Sequence, residues 1–315
     1  MGFLLTTICF DIDVISSSRL AEIIANGIGF DPSRLISDVF LKNGGKYQKK
    51  IHLNRIAKSK DISSLRLETI DGEDGPLFEF ISLPTWGFQS IHWKLKAGIQ
   101  VPDNELWKNL IEMDGFNAGY VADADDVFWQ SEENISTYEL FGKNHNSFPK
   151  IKDEVFGGDK IDILKNPGAR YIFPGMWLQA SWKMWFSGKV FKYIPKYQLS
   201  SFSDADKVVV LPNDVVYIEL CSNLTDSMLR QRQISFREWV GMSELAAQAN
   251  QLGAEITDPV FDIAEGVYPH GGVRKITQWL DNHGKPIRKS KSKKSKIFEL
   301  DQKGKVLWSE EGKSL

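Results

Sequence analysis

Residues 170–202 form the most aromatic stretch of the chain and limit what it can fold into. The stretch, RYIFPGMWLQASWKMWFSGKVFKYIPKYQLSSF, holds three of the ten tryptophans. Aromatic side chains bury a large area each, so a run this dense belongs either to the core or to a recognition face. Pro174, Gly188 and Pro195 exclude one long helix. We therefore expect short strands and turns here, with most of the rings buried.

Outside this stretch the sequence is dominated by apolar, strand-like segments and turn signals. Residues 3–12 are rich in Leu, Ile, Cys and Phe and predict a buried strand, which is followed by helical spacing over 19–28. The Asn-Gly-Gly sequence at 43–45 is a hairpin signal, which predicts strands over 35–42 and 47–56. The pattern predicts an α+β fold made of two lobes of mainly antiparallel sheet with a few packed helices.

The order of these segments predicts three parts. We expect an N-terminal α+β lobe over residues 1–88 and an aromatic-rich α+β lobe over 89–265. Within the second lobe, Ser235 and Glu238 have the spacing of a capping box and predict a helix that starts there. Residues 266–315 are expected to hold a basic linker followed by a C-terminal hairpin.

The composition is that of an ordinary globular protein, with 42% hydrophobic and 25% charged residues. No segment approaches the roughly 18 consecutive apolar residues that a membrane-spanning helix needs. Cys9 and Cys221 lack paired spacing, so we expect neither a disulfide framework nor a structural zinc site. These features predict a cytoplasmic protein with no membrane association, no cofactor and no metal.

The densest acidic segment of the chain lies between residues 123 and 133. Its carboxylates are the candidate partner-binding residues: Asp123, Asp125, Asp126, Glu132 and Glu133. The glycine-containing loop and regular ligand spacing of an EF-hand are missing. The segment is therefore either a solvated loop or a negative surface that meets a basic partner.

Asp11 and Asp13 follow the first apolar run and suggest an alternative. The Phe-Asp-Ile-Asp sequence resembles the first motif of haloacid-dehalogenase-type phosphatases, in which one Asp is the nucleophile and the second a general acid. Asp125 and Asp126 would then be the later acidic pair that binds magnesium. Hairpin signals dominate over the strand–helix alternation that such a parallel sheet needs, so a hydrolase is the second hypothesis.

Basic residues concentrate near the C-terminus. Residues 276–315 carry ten Lys/Arg and five Asp/Glu, a balance of +5, so the other 275 residues sum to −7 within the total of −2. The candidate anion-binding residues lie in this part: Arg288, Lys289, Lys291, Lys293 and Lys294. Lysines can hold a phosphate backbone without reading base sequence, so a nucleic-acid-associated role is a third hypothesis, less favoured than a solvated linker.

A family resemblance lies within residues 166–199. It is carried by Asn166, Pro167, Gly168, Arg170, Met184, Trp185, Phe186, Gly188 and Phe191. This pattern resembles immunity proteins of bacterial polymorphic toxin systems, although Ala169 stands where the family usually has an arginine and Ser187 separates Phe186 from Gly188. The resemblance implies an α+β protein that is not an enzyme and that neutralises a toxin by binding it.

Together these observations predict a non-catalytic binding protein of the bacterial cytoplasm, with a basic toxin domain as its protein partner. The acidic body suits this role because a carboxylate surface can compete for the site at which a basic nuclease toxin binds phosphates. A hydrolase that uses Asp11 and Asp13, and a nucleic-acid-associated protein that uses the lysine run, stay as alternatives.

Overall fold

A computed structural model of the chain describes its architecture. The residues that the structure describes are 2–37, 45–60, 62–98, 104–152, 158–256, 261–265, 268–301 and 305–313. The chain divides into two compact units, Met1–Ala249 and Asn250–Leu315. The three-part division at residues 88 and 265 stays a prediction.

The first unit is built on a large antiparallel sheet. Its strands are β1 (Phe3–Asp11), β2 (Arg34–Ser37), β3 (Gly45–Lys46), β4 (Ser64–Glu68), β5 (Leu77–Leu83), β6 (Phe88–Lys96), β7 (Phe116–Asp123), β8 (Lys150–Lys152), β9 (Asp159–Ile161), β10 (Tyr171–Phe173), β11 (Met176–Leu178), β12 (Lys183–Phe186), β13 (Lys207–Val210) and β14 (Val216–Glu219). Within the described residues, ten of them form one sheet in the order β13-β14-β12-β7-β1-β6-β5-β4-β2-β3. The pairs β8–β9 and β10–β11 form separate two-stranded ribbons.

Short helices accompany the strands. They are α1 (Ser17–Asn26), α2 (Lys49–Lys58), α3 (Asn104–Ile111), α4 (Ala124–Ser131), α5 (Ile135–Leu140), α6 (Lys196–Ser200), α7 (Leu229–Val240) and α8 (Met242–Ile256). Helices packed beside a mainly antiparallel sheet confirm the predicted α+β fold class.

The main core lies on one face of the sheet. Side chains alternate along a strand, so Ile8 and Phe10 of β1 share a face that Thr7 and Cys9 do not. Buried residues of three helices pack on that face: Leu20, Ile23 and Ile24 from α1, Ile56 from α2, and Leu110 from α3. Each such side chain contributes about 1.5–3 kcal/mol through burial, so this layer supplies much of the stability of the first unit.

The ribbon of β10 and β11 lies against the same sheet, where β11 contacts β1, β6 and β7. Short elements between residues 170 and 202 were expected and are confirmed. Five of the ten rings in this stretch are buried: Tyr171, Phe173, Trp185, Phe186 and Phe202. Three more, Trp177, Trp182 and Phe191, are half-buried, and Tyr193 and Tyr197 lie at the surface, 37% and 75% exposed.

One predicted strand is wrong. Residues 47–56 were expected to be the return strand of a hairpin, but Lys49–Lys58 form the helix α2. Leu53, Ile56 and Ala57 pack on the core with the spacing of a helix face, and this burial outweighs the strand-like composition. The predicted turn residues 43 and 44, and residues 38–42 of the strand before them, lie outside the described residues.

The second unit contains an antiparallel sheet in the order β15 (Phe261–Glu265), β16 (Arg274–Leu280), β17 (Lys294–Leu300) and β18 (Val306–Lys313). The strands of the predicted C-terminal hairpin are confirmed as β17 and β18, and its turn at 302–304 lies outside the described residues. β17 begins at Lys294, so the basic run is not a linker throughout: its last residues are part of the sheet.

Candidate functional site

The predicted acidic segment folds into a helix rather than a solvated loop. Asp123 is the N-cap of α4, and its Oδ1 accepts the backbone N–H of Asp126 at 2.9 Å. Asp125 and Asp126 lie in the first turn, where the partial positive charge of the helix N-terminus favours carboxylates. These acidic residues thus lie at a helix N-terminus, where negative charge is stabilised.

The predicted partner-binding carboxylates come together around α4 but have different roles. Asp126 accepts a hydrogen bond from Arg230 Nη2 at 3.0 Å, and Glu133 pairs with Lys160 Nζ at 2.7 Å. Glu132 Oε1 accepts the backbone N–H of Asn134 at 2.7 Å. Asp123 caps the helix, and Asp125 is exposed. Asp125 is therefore the clearest contact residue of the set.

A buried glutamine fixes α4 to the segment that carries the family resemblance. Gln130 Nε2 donates to Asp126 Oδ1 at 2.8 Å, and Gln130 Oε1 accepts the N–H of Gly168 at 2.9 Å. Asn166 Nδ2 donates to the Gln130 carbonyl at 2.9 Å, and the Arg170 N–H donates to Ser131 Oγ at 3.0 Å. Because these groups are satisfied inside the protein, they orient α4 rather than meet a partner.

Three large apolar side chains of α4, α5 and the residue after α5 are exposed. Phe128 is 50% exposed, Leu140 81% and Phe141 63%. The Trp129 ring makes edge-to-face contacts with Phe128 and Phe141, with centroids 4.9 and 5.9 Å away. We name the surface formed by Asp125, Phe128, Trp129, Glu132, Leu140 and Phe141 the acidic–aromatic patch.

A buried tyrosine packs against Trp129 of the patch. Tyr138 of α5 is almost fully buried, and its ring lies 5.1 Å from that of Trp129. Its hydroxyl donates to the carbonyl oxygens of Trp129 and Glu132. Burial, and then the charge of Glu132, raises the pKa of Tyr138 to about 12. The hydroxyl therefore stays protonated and holds α5 against the end of α4.

Sequence reasoning missed the apolar half of the patch. The signal was present in the helical period: Val127 and Gln130, three residues apart, are the buried residues of α4. A helix that buries those two positions presents Asp125 and Phe128 on its outer side. The composition alone could not separate these rings from core residues.

Asp11 and Asp13 do not form the site that the phosphatase-like motif would need. Asp11 Oδ1 accepts from Asn117 Nδ2 at 2.7 Å and pairs with Lys189 Nζ at 2.8 Å, at the edge of a polar cleft of about 360 Å³. Asp13 is exposed in a turn with φ of 68°. Asp11 lies at the Phe116 end of β7, whereas α4 with Asp125 follows the other end, about 20 Å along the strands. The structure keeps the two acidic pairs apart.

A second buried polar cluster surrounds His92. Its Nδ1 is 2.9 Å from Thr7 Oγ1 and 3.5 Å from Arg170 Nη1, so this nitrogen accepts, and its Nε2–H donates to Ser90 Oγ at 2.9 Å. Burial, and then the charge of Arg170, holds the pKa of His92 well below 6.5. The cluster contains a neutral, fully bonded imidazole, which suits a structural role.

The thiol beside this cluster is unreactive in its setting. Cys9 is fully buried, and its Sγ accepts the backbone N–H of Trp177 at 3.4 Å. Burial raises the pKa of the Cys9 thiol to about 12, so it stays protonated at neutral pH. Since the thiolate is the nucleophilic form, this environment does not activate Cys9.

The candidate anion-binding residues lie in the connection between β16 and β17 and, for Lys294, at the first position of β17. All are exposed: Arg288, Lys289, Lys291, Lys293 and Lys294. Residues Lys289–Lys291 form one turn of 3₁₀ helix, and Lys289 Nζ lies 5.1 Å from the Trp279 ring centroid. Anion binding by this segment stays a prediction.

Two further properties concern the described part of the chain. Nowhere within it do three or more His, Cys, Asp or Glu side chains group in a way that could hold a metal ion. None of the helices described there has the length and apolar character needed to cross a membrane.

Comparison with known proteins gives a distant structural likeness. No family model matches the chain, and no curated protein matches it. Among solved structures, the Pseudomonas aeruginosa T6SS protein PA0821 is similar with a TM-score of 0.42 and 11% sequence identity, over 81% of this chain and 84% of that chain. A likeness this distant carries no argument about function.

Proposed function

We propose that this is a non-catalytic binding protein that recognises a basic protein partner through the acidic–aromatic patch. The observation that carries the proposal is the exposure of Phe128, three residues after the exposed Asp125 on α4, and of Phe141, whose ring contacts Trp129 as that of Phe128 does. Contiguous exposed apolar side chains rimmed by polar residues mark interaction sites. Aromatic residues that can be desolvated at the centre of an interface carry much of the binding energy.

The rigidity of the patch supports the same proposal. Gln130 ties α4 to residues 166–170, and Tyr138 ties α5 to α4. A surface that is already ordered loses little conformational entropy when a partner docks. The chemically active groups elsewhere in the unit are engaged: Asp11 by Lys189 and Asn117, and Cys9 by burial. Binding explains this arrangement better than hydrolysis does.

Toxin neutralisation is the form of binding that we propose. The resemblance at residues 166–199 points to immunity proteins, and the residues before 276 carry a net charge of −7. A negative body accelerates encounter with a basic toxin, and its carboxylates compete with the phosphates of a nuclease substrate. We place this encounter in the bacterial cytoplasm, where the free thiols Cys9 and Cys221 stay reduced.

Site-specific crosslinking in cells tests the proposal. The photoreactive residue p-benzoylphenylalanine replaces Phe128 in one protein and the exposed Tyr197 in a control protein. We expect illumination to join one basic protein to position 128 and not to position 197, as identified by mass spectrometry. Absence of an adduct at 128, or the same adducts at both positions, contradicts the proposal.

The exposed basic segment at Arg288–Lys294 favours a second candidate, association with nucleic acid. Such binding weakens steeply with salt, because each neutralised phosphate releases counterions. Titration of single-stranded DNA at two salt concentrations tests it, with a variant in which the four lysines of this segment are changed to glutamine. Equal binding by the variant and the original protein rules the candidate out.

A further inference from the structure

We infer that the acidic–aromatic patch takes an arginine side chain of the protein partner, stacked on the ring of Phe128 between Asp125 and Glu132. The inference rests on the proposed function and specifies the chemistry by which the partner is recognised.

The spacing of the three residues creates the site. Asp125 and Phe128 are three residues apart, and Glu132, the C-cap of α4, follows Phe128 by four. Side chains three and four apart on a helix are neighbours, with Cβ atoms about 5–6 Å apart. An exposed ring is thus flanked by a carboxylate on each side along the helix axis.

Arginine fits this arrangement better than lysine. A guanidinium is planar and weakly hydrated, so it can stack on a ring while its N–H groups meet a carboxylate. The ammonium of lysine is a compact, strongly hydrated charge with no plane to stack. A ring with carboxylates at both ends therefore matches the face and the edge of a guanidinium at once.

The protein already holds its own cations on aromatic rings. Lys143 Nζ lies 5.3 Å from the ring centroid of Trp129, within the patch itself. Arg170 Cζ lies 4.3 Å from the ring centroid of Trp177. The first contact shows that a positive group is accommodated at this surface, and the second shows a guanidinium placed over an aromatic ring, the kind of contact that we assign to the partner.

Both halves of the site are held before a partner arrives. The Phe128 ring stands edge-to-face against Trp129, with an interplanar angle of 86°. Glu132 is oriented by the backbone N–H of Asn134 at 2.7 Å. An ordered ring and an ordered carboxylate reduce the entropy that is lost when a flexible arginine docks.

Peptide titration followed by NMR tests the inference without the partner. The probes are three short peptides in which glycine alternates with arginine, lysine or citrulline. The readout is the indole N–H signal of Trp129 in ¹H–¹⁵N spectra, assigned by its loss in a Trp129→Phe variant. Asp125→Asn and Phe128→Leu are the test variants, and Glu238→Gln and Tyr197→Leu change an exposed carboxylate and an exposed ring elsewhere as matched controls.

We expect the arginine peptide to shift the Trp129 signal at lower concentration than the lysine peptide, and the neutral citrulline peptide to leave it in place. Each test variant should weaken the arginine response by about threefold, a modest change typical of exposed cation–π and ionic contacts, and the controls should not. Equal responses to arginine and lysine, no response to arginine, or unchanged responses in both test variants overturn the inference. Crosslinking at Phe128 reports separately on the proposed function, so either can fail alone.

Discussion

Gln130 Oε1 accepts the backbone N–H of Gly168 at 2.9 Å, which joins α4 to residues 166–170. An added Cβ at Gly168 would lie 3.1 Å from Asp126 Oδ2 and 3.2 Å from Gln130 Nε2, so the two segments are in close contact. The residues that carry the resemblance therefore support the acidic–aromatic patch from within. They need not touch the partner.

Replacement of Gln130 by alanine should destabilise the first unit. The Gly168 N–H would be left buried without its acceptor, at a cost of about 1–3 kcal/mol in the free energy of unfolding. Denaturant unfolding measures this value. The exposed Gln231 on α7 provides the matched control, since Gln231→Ala should change stability by no more than about 0.5 kcal/mol. Equal stabilities of the two variants would contradict the assigned role of Gln130.

Charge reversal should lower stability to different extents at the two acidic residues in the first turn of α4. Asp125→Lys should lower stability by only about 1 kcal/mol, since it loses a favourable charge at the helix N-terminus but no side-chain partner, and it should weaken partner binding because Asp125 is exposed. Asp126→Lys should lower stability, because Asp126 accepts from Arg230 and Gln130. Thermal unfolding of both variants measures the difference. A larger loss of stability in Asp125→Lys than in Asp126→Lys would contradict this assignment.

Local signals in the sequence predicted several elements correctly, and tertiary burial decided the others. The helical spacing over 19–28 corresponds to α1, which Ser16 caps through its side chain by accepting the Arg19 N–H at 3.2 Å. Ser235 and Glu238, in contrast, lie inside α7, which begins at Leu229 because Gln233 and Phe236 are part of its buried face. A capping-box pattern is local, whereas burial against the rest of the chain is not readable from spacing alone.

The acidic residues of the candidate site could be predicted from the sequence, whereas the exposure of its aromatic residues could not. The acidic residues 123–133 stood out by charge, and the location of Asp123, Asp125 and Asp126 at the N-terminus of α4 follows from capping chemistry. The pairing of Asp126 with Arg230 joins residues far apart in the chain and left no local signal. Phe128 and Phe141 are aromatic like the core residues, and only the three-dimensional structure shows them exposed.

The stability of the first unit should fall on mild acidification. Burial, with the charge of Arg170, holds the pKa of His92 well below its ordinary value of 6.5. Below pH 6.5 the unfolded chain takes up a proton at His92, whereas the folded protein does not. The free energy of unfolding therefore has its full value from this residue above pH 6.5 and declines as the pH falls. The change in the free energy of unfolding that this one group causes can approach about 1.4 kcal/mol per pH unit.

Chemical unfolding between pH 8 and pH 5 measures this slope. A His92→Gln variant should lose the part of the pH dependence below 6.5 that comes from this residue, whereas a variant of the exposed His283 should keep it. Identical pH profiles for the His92→Gln variant and the original protein would show that His92 is not the group responsible.

Both thiols should resist alkylation in the folded protein. Burial raises the pKa of Cys9 to about 12 and also raises that of Cys221. Iodoacetamide at pH 8 should therefore label neither residue in the native protein and both residues after denaturant is added. Mass spectrometry measures the number of alkylated cysteines in each case. Rapid labelling of Cys9 in the native protein would show that its thiol is accessible and reactive, which contradicts its structural role.

The most direct test of the binding role is the affinity of the crosslinked partner for patch variants, measured by isothermal titration calorimetry. Truncation of hot-spot rings typically costs 2 kcal/mol or more, so the Phe128→Ala/Phe141→Ala protein should bind about thirtyfold or more weakly than the original. Tyr197→Ala, which removes an exposed ring elsewhere, should bind with unchanged affinity. Equal affinities for the original protein and the double variant would contradict recognition through the acidic–aromatic patch.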